Sequence, residues 1–242
     1  KKVFDRIGND QIALTEAYKT ANIELKKNGH MVPAGEWLID NFYMIEEQIK
    51  EIQYILRSGG KGRLPVLTNG DFKMMPRVYA IACEIIDKTD GHVDEDIIFN
   101  FIDAYQKEQV LSNRELWSMT FMLKIALIKR ISKISSKILE TNKEWQKADI
   151  WADKFLSALE EPNAELYKII NQHDAYIKEI SDCYGERLLK KLKVQGSKAV
   201  PIIKWLDGKV ALQNTSMDEM IQQEHQRQTA YQISMGNAIT SL

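Results

Sequence analysis

The chain has 242 residues, of which 44% are hydrophobic and 28% are charged, with 33 Lys and Arg against 34 Asp and Glu. This composition is typical of a soluble globular protein that has enough apolar residues for one large core or two small ones. The formal net charge of −1 and the lack of a basic tract with interleaved aromatics argue against nucleic acid as a partner. The two cysteines, Cys83 and Cys183, predict neither a disulfide framework nor a zinc site, and they fit a reducing, cytoplasmic compartment.

Helical periodicity extends over nearly the whole chain, because only 5 prolines and 12 glycines interrupt it and no stretch alternates with a period of two. We therefore predict an all-α fold, an irregular multi-helix bundle of about 9–10 helices without a sheet. A single domain over residues 1–242 is expected. The predicted helices are 10–27, 33–57, 76–89, 94–110, 113–141, 144–160, 163–173, 175–193, 198–208 and 216–242.

The second predicted helix begins with "PAGEWLIDNFYMIEEQI", residues 33–49, and carries two rows of side chains at helical spacing. One row is apolar and marks the side expected to face a core: Leu38, Phe42, Ile45 and Ile49. The other row combines acids and a tyrosine with a neighbouring indole and amide: Glu36, Asp40, Tyr43 and Glu47, with Trp37 and Asn41. Glu36 and Asp40, one turn apart, are also the most conspicuous carboxylate pair for glycoside hydrolysis. Helical glycosidases usually line a barrel larger than this chain can form.

Residues 57–76, "RSGGKGRLPVLTNGDFKMMP", form the one segment without helical periodicity. Its Gly-Gly-Lys-Gly lacks the spacing of a phosphate-binding P-loop, which also requires a strand before it and a helix after it. We predict a connecting loop with a small basic cluster at Lys61 and Arg63.

Asp94-Glu95-Asp96 matches the Asp-x-Asp pattern that chelates a divalent cation and sugar-nucleotide phosphates in many glycosyltransferases. That chemistry needs the acids at the end of a strand, whereas here they follow a glycine turn and open a helix. We predict that Asp94 caps the helix and that Glu95 and Asp96 complement its macrodipole.

Other catalytic and metal-binding patterns are lacking in the sequence. No Gly-x-Ser-x-Gly elbow occurs, and no histidine has the Glu three residues earlier that carboxylate-bridged metal centres in helical bundles use. The longest apolar run, 116–128, contains Lys124 and is too short to span a bilayer. We predict no catalytic residue, no metal site, no cofactor and no membrane span. The histidines are His30, His92, His173 and His225.

The last predicted helix has an apolar stripe with a polar gap at Glu224, His225 and Gln228. The gap predicts either a wet notch on the surface or a buried network, and a buried network must satisfy every polar group. Arg227, with Gln226 and Gln232, could supply donors. The chain begins at Lys1 and ends within a helical pattern, so we expect it to be a piece of a longer protein.

Four stretches carry a resemblance to a known family: "PAGEWLIDNFYMIEEQI", "MPRVYAIACEIIDKTDGHVDEDIIFNFIDAYQ", "LSNRELWSMTFMLKIALI" and "EHQRQTAYQISMGNAITSL". They resemble the N-terminal region of the cyclic β-1,2-glucan synthase family, over most of residues 30–130 and 195–242. Those proteins are large bacterial membrane proteins that combine a glycosyltransferase family 84 region using UDP-glucose with a glycoside hydrolase family 94 region.

The resemblance implies that this chain precedes the membrane spans, on the cytoplasmic side of the bacterial inner membrane, with the rest of the parent chain as its partner. It also implies that the sugar-nucleotide site lies outside these residues. We accordingly interpret the acid row as architecture, in which Glu36, Asp40 and Asn41 pair with Arg77 and with a basic side chain of the last helix, His225 or Arg227.

Three functions follow as hypotheses. The first is a non-catalytic scaffold or regulatory module of a glycosyltransferase, and the second is a carbohydrate-binding module that contacts the glucan chain. The third is a helical glycosidase-like enzyme. The second is motivated by aromatic residues near acids and amides: Trp37, Tyr43, Tyr79 and Trp117. The full candidate set for a polar seam or a sugar contact is Glu36, Trp37, Asp40, Asn41, Tyr43, Arg77, Tyr79, Glu115, Trp117, Glu224, His225, Arg227 and Gln228.

Overall fold

A computed structural model describes residues 2–28, 31–58, 64–160 and 163–242. Over these ranges the chain forms nine α-helices and one 3-10 helix, Gly196–Ala199, and no strand, which confirms the all-α prediction. The α-helices are α1 Lys2–Asn28, α2 Pro33–Arg57, α3 Arg77–Lys88, α4 Glu95–Glu108, α5 Asn113–Ala158, α6 Asn163–Tyr176, α7 Asp182–Lys193, α8 Val200–Ala211 and α9 Met217–Thr240.

Helix α5 differs from the prediction, because 113–141 and 144–160 form one continuous helix of 46 residues. Thr141 and Asn142, at the predicted break, are buried within it. Their weak helix propensity is overridden by packing, as tertiary context commonly does.

Helix α7 begins at Asp182 and not at residue 175 as predicted. The backbone of Ile180, just before this helix, is hydrogen-bonded to the side chain of Gln213 and not to a helical neighbour. Its N–H donates to Gln213 Oε1 at 2.7 Å, and its carbonyl accepts from Gln213 Nε2 at 2.9 Å. A side-chain amide thus satisfies the backbone where the predicted helix would have continued.

The described part of the 57–76 segment folds back on itself. Val66 and Pro76 form an isolated antiparallel bridge, and Leu67 N–H donates to Met75 O at 2.9 Å around a turn at Gly70. The predicted basic cluster, Lys61 and Arg63, lies outside the described residues.

The chain divides into two compact units, each described here by itself. Unit 1 comprises 1–139 and 230–242. In it α1 and α2 pack antiparallel, since Tyr18 stacks on Phe42 at 4.0 Å and Gln53 donates to Gln11 at 2.8 Å. The core of this unit is aliphatic and includes Leu14, Leu38, Ile45, Ile49, Ile52, Ile85, Ile128 and Ile131. The prediction of a single domain over 1–242 stays a prediction.

Unit 2 comprises 140–229 and has an aromatic centre. His173 of α6 is fully buried, its Nε2 hydrogen-bonds Tyr184 Oη at 2.9 Å, and its ring meets Trp205 edge to face at 4.8 Å. Phe155 of α5 lies 5.2 Å from Trp205 and 5.5 Å from His173, measured between ring centroids. Burial lowers the pKa of His173, so the neutral imidazole is the form that this centre accommodates.

Candidate functional site

The acid row of α2 lies on the open side of the helix. Leu38, Ile45 and Ile49 are buried as predicted, whereas Glu36 and Asp40 are exposed, on the opposite side. The amide of Asn41 donates to the carbonyl of Trp37, within the same helix, at 2.9 Å. The prediction that Glu36 and Asp40 belong to a buried seam is therefore wrong. Their role as sugar contacts stays a prediction.

Arg77, at the start of α3, pairs with Glu115 and not with the acids of α2. Its Nε donates to Glu115 Oε1 at 2.5 Å and its Nη2 to Oε2 at 2.8 Å, and Nη2 also donates to the carbonyl of Val110 at 2.9 Å. The Glu115 side chain is fully buried and that of Arg77 is 15% exposed. This two-pronged bond ties the start of α3 to the start of α5.

Glu115 also completes the N-terminal cap of α5. Ser112 N–H donates to Glu115 Oε2 at 2.9 Å, and Glu115 N–H donates to Ser112 Oγ at 3.4 Å. This is a capping box, whose signature is Ser or Thr followed three residues later by Glu or Gln. "SNRE", residues 112–115, carries that signature, so a local signal in the sequence could have found this partner of Arg77.

The charges of this pair stabilise one another. Hydrogen bonds from Arg77, together with those from Ser112, lower the pKa of Glu115 to about 2, against the effect of burial. The same contact with Glu115 raises the pKa of Arg77. Glu115 is thus held as a carboxylate by a cation and a helix cap, which is the environment of a structural anchor.

We expect the Arg77–Glu115 pair to make stability fall in acid. Because folding lowers the pKa of Glu115 from 4.5 to about 2, its contribution is complete above 4.5 and is lost as the pH falls through that interval. The free energy of unfolding of the wild type and of Glu115→Gln, measured by urea titration between pH 7 and pH 2, should converge as the pH falls. A constant difference between the two across this interval would contradict the assignment.

The polar gap of α9 is buried at Glu224 and exposed at His225, and the buried Oε1 of Gln228 has no hydrogen-bond partner among the described residues, so the gap matches neither alternative fully. Glu224 is fully buried and accepts hydrogen bonds from Arg227 and, at 2.6 Å, from Gln228, one turn along the same helix. His225 is exposed and pairs with Glu186 of α7 at 3.2 Å. Arg227 and His225, which were expected to meet the acids of α2, are engaged by Glu224 and Glu186, and their pairing with α2 stays a prediction.

The four candidate aromatics differ in accessibility. Tyr79 is buried and meets Phe72 edge to face at 5.9 Å, so its ring cannot stack on a sugar. Trp37 is half-buried against Gly236, where an added Cβ would lie 3.3 Å from the indole. Trp117 and Tyr43 are 80% and 71% exposed. Only these last two present rings that a solute could cover.

The Asp-x-Asp stretch acts as a helix cap, as predicted. Asp94 Oδ1 accepts a hydrogen bond from Ile97 N–H at 2.7 Å, and Glu95 and Asp96 occupy the first turn of α4. Within the described residues, no group of three or more His, Cys, Asp or Glu is arranged to hold a metal ion. None of the helices in the described ranges is long and apolar enough to cross a membrane.

No family model matches the chain. The chain is 22% identical over 229 residues to the "Cyclic beta-(1,2)-glucan synthase NdvB" of Rhizobium meliloti (strain 1021). The alignment covers 95% of this chain and 8% of that protein, so the chain spans less than a tenth of the length of this relative. The chain is thus distantly similar to one region of a glucan synthase.

Three buried charged side chains of the described residues, Glu115, Arg187 and Glu224, are each paired with an opposite charge. The Arg77–Glu115 and Arg187–Asp149 pairs tie different helices to one another, whereas Glu224 and Arg227 lie on the same helix. The buried carboxylates of Glu115 and Glu224 are both engaged by arginines, and Arg187, also buried, binds Asp149 through Nε at 2.7 Å. Arg187 and Asp149 are 38 residues apart in the sequence, and no local sequence pattern predicts that they pair.

Proposed function

We propose that this chain is a non-catalytic helical scaffold or regulatory module of a glycosyltransferase that makes β-1,2-glucan from UDP-glucose. The observation that carries the proposal is the similarity of 95% of the chain to a stretch amounting to 8% of a glucan synthase. Its partner would be the rest of that longer chain, on the cytoplasmic side of a bacterial inner membrane. No cofactor is assigned to it.

The use of buried charge supports an architectural role. Glu115 and Arg187 each meet an opposite charge on another helix of their own unit, so these groups hold helix ends and helix faces in register. Removing one partner of such a pair is costly, which makes these residues effective at fixing one arrangement of helices. Helical units whose helices are fixed in this way suit a module on which other domains are positioned.

The proposal is tested by comparing the 242-residue chain with the product of the complete reading frame. We expect membranes containing the complete protein to incorporate radiolabelled glucose from UDP-glucose into glucan, and the isolated chain to incorporate none and to show no micromolar binding of UDP-glucose by calorimetry. Turnover by the isolated chain would overturn the non-catalytic role. A complete protein without incorporation would overturn the link to a glucan synthase.

Carbohydrate binding is the second candidate, and the exposure of Trp117 and Tyr43 favours it. The same calorimetric experiment, with cyclic β-1,2-glucan as the titrant, separates it from a purely architectural role. Saturable heat that disappears in Trp117→Ala would assign glucan binding to this surface. If the heat of glucan injection equals that of the buffer blank, the chain does not bind glucan and the architectural role is the one that remains.

A further inference from the structure

Helix α4 has a wider apolar surface than its own unit covers. Five of the six positions 97–102 are apolar, and at 100° per residue they span an arc of about 200°, whereas a one-sided surface helix needs an arc of only about 100°. None of the residues of α4, all of which the structure describes, is buried. Ile97, Ile98, Phe101 and Ile102 are half-buried, and Phe99 is 69% exposed.

The uncovered part of α4 borders a groove of about 620 Å³ against the start of α5. The apolar floor consists of Ile98, Phe99 and Ile102, with Leu116 from α5. Leu116 directly follows Glu115, so the Arg77–Glu115 bond and the Ser112 cap hold this wall of the groove in place. The site is therefore built on anchored helices.

The rim of the groove is acidic. Glu95, Asp96 and Asp103 line it, and the described lining residues include no cation. In the part of the chain that the structure describes, Glu95 and Asp96 have no ion-pair partner, while Asp103 meets only the exposed Lys107 at 3.0 Å. The helix as a whole carries four carboxylates and one lysine, a formal charge of −3.

We propose that this groove docks a basic amphipathic helix that lies outside these 242 residues. An amphipathic helix places apolar side chains at i, i+3, i+4 and i+7 into such a floor, and its flanking Lys or Arg would meet Glu95, Asp96 and Asp103. Helix α4 has 14 residues and is about 21 Å long, which matches three to four turns of a partner helix. Membrane surfaces and nucleic acids are polyanionic, so this rim would repel them. The inference does not depend on the proposed function.

The test uses the whole chain and a fluorescein-labelled 18-residue helix with Leu at i, i+3, i+4 and i+7 and Lys on the remaining face. We expect fluorescence anisotropy to show saturable binding that weakens as salt is raised. Phe99→Asp should weaken binding by about tenfold or more, as the loss of a central apolar contact does. Ile12→Asp is the matched control, since Ile12 is 68% exposed on α1, and it should bind like the wild type.

The charge requirement is tested separately. Exchanging Lys for Glu in the peptide should abolish binding, and the double variant Glu95→Gln, Asp96→Asn should weaken binding and flatten its salt dependence. Circular dichroism checks that each variant is folded. The proposal would be overturned if the acidic and basic peptides bound with equal affinity or if Phe99→Asp had no effect on binding. Competition between the peptide and cyclic β-1,2-glucan would also overturn it. Sedimentation showing a dimer of the chain that Phe99→Asp dissociates would assign the groove to a second copy and also overturn it.

Discussion

Arg77→Ala should lower the free energy of unfolding by about 3–5 kcal/mol, because it leaves the fully buried carboxylate of Glu115 without its cation. That loss is a large share of the ~5–15 kcal/mol by which a typical domain is stable. Arg77→Lys should be milder but still destabilising, since one ammonium cannot reproduce the two parallel bonds to Oε1 and Oε2. Urea unfolding at pH 7 measures all three proteins in one buffer.

The chain offers a matched control for this variant. Lys50 pairs with Glu46 at 2.9 Å on the exposed side of α2, and both side chains are accessible to solvent. Lys50→Ala should change the free energy of unfolding by only about 0.5 kcal/mol, as surface ion pairs do. If Arg77→Ala unfolds at the same urea concentration as Lys50→Ala, the pair is not an anchor.

Phe155→Ala should lower the free energy of unfolding of unit 2 by about 3–5 kcal/mol, because it removes a fully buried ring and leaves a cavity. The ring contacts both His173 and Trp205, so its loss removes packing from α6 and α8 together. Phe155→Leu should lose less, since it keeps part of the volume. Tryptophan fluorescence during urea unfolding reports the change, because the Trp205 indole is a direct neighbour.

Tyr167→Ala is the control for Phe155→Ala. Tyr167 is an exposed aromatic residue on α6, so its truncation removes a ring without opening a core cavity. Its expected effect is about 0.5 kcal/mol. A Phe155→Ala variant that unfolds with the Tyr167→Ala control would show that the aromatic centre does not hold unit 2 together.

Local features of the fold could be predicted well. The bounds of α2 matched the prediction, because Pro33 starts the helix and its apolar row repeats every three to four residues. The cap at Asp94 was also correct, since a side chain that bonds an N–H three residues later needs no distant partner. The break predicted near Asn142 was wrong because burial, which the local sequence does not show, outweighs weak helix propensity there.

The sequence by itself determined that the fold is all-α and which side of α2 carries apolar residues, because helical periodicity depends on contacts within one or two turns. Only the tertiary structure decided that Arg77 meets Glu115, and that Glu36 and Asp40 remain in solvent. The chain has 34 carboxylates, and which of them a given guanidinium reaches depends on how helices cross, not on their periodicity. The same holds for the open apolar side of α4. The sequence shows that this helix carries many apolar residues, but only the packing of the helices decides whether another helix covers them.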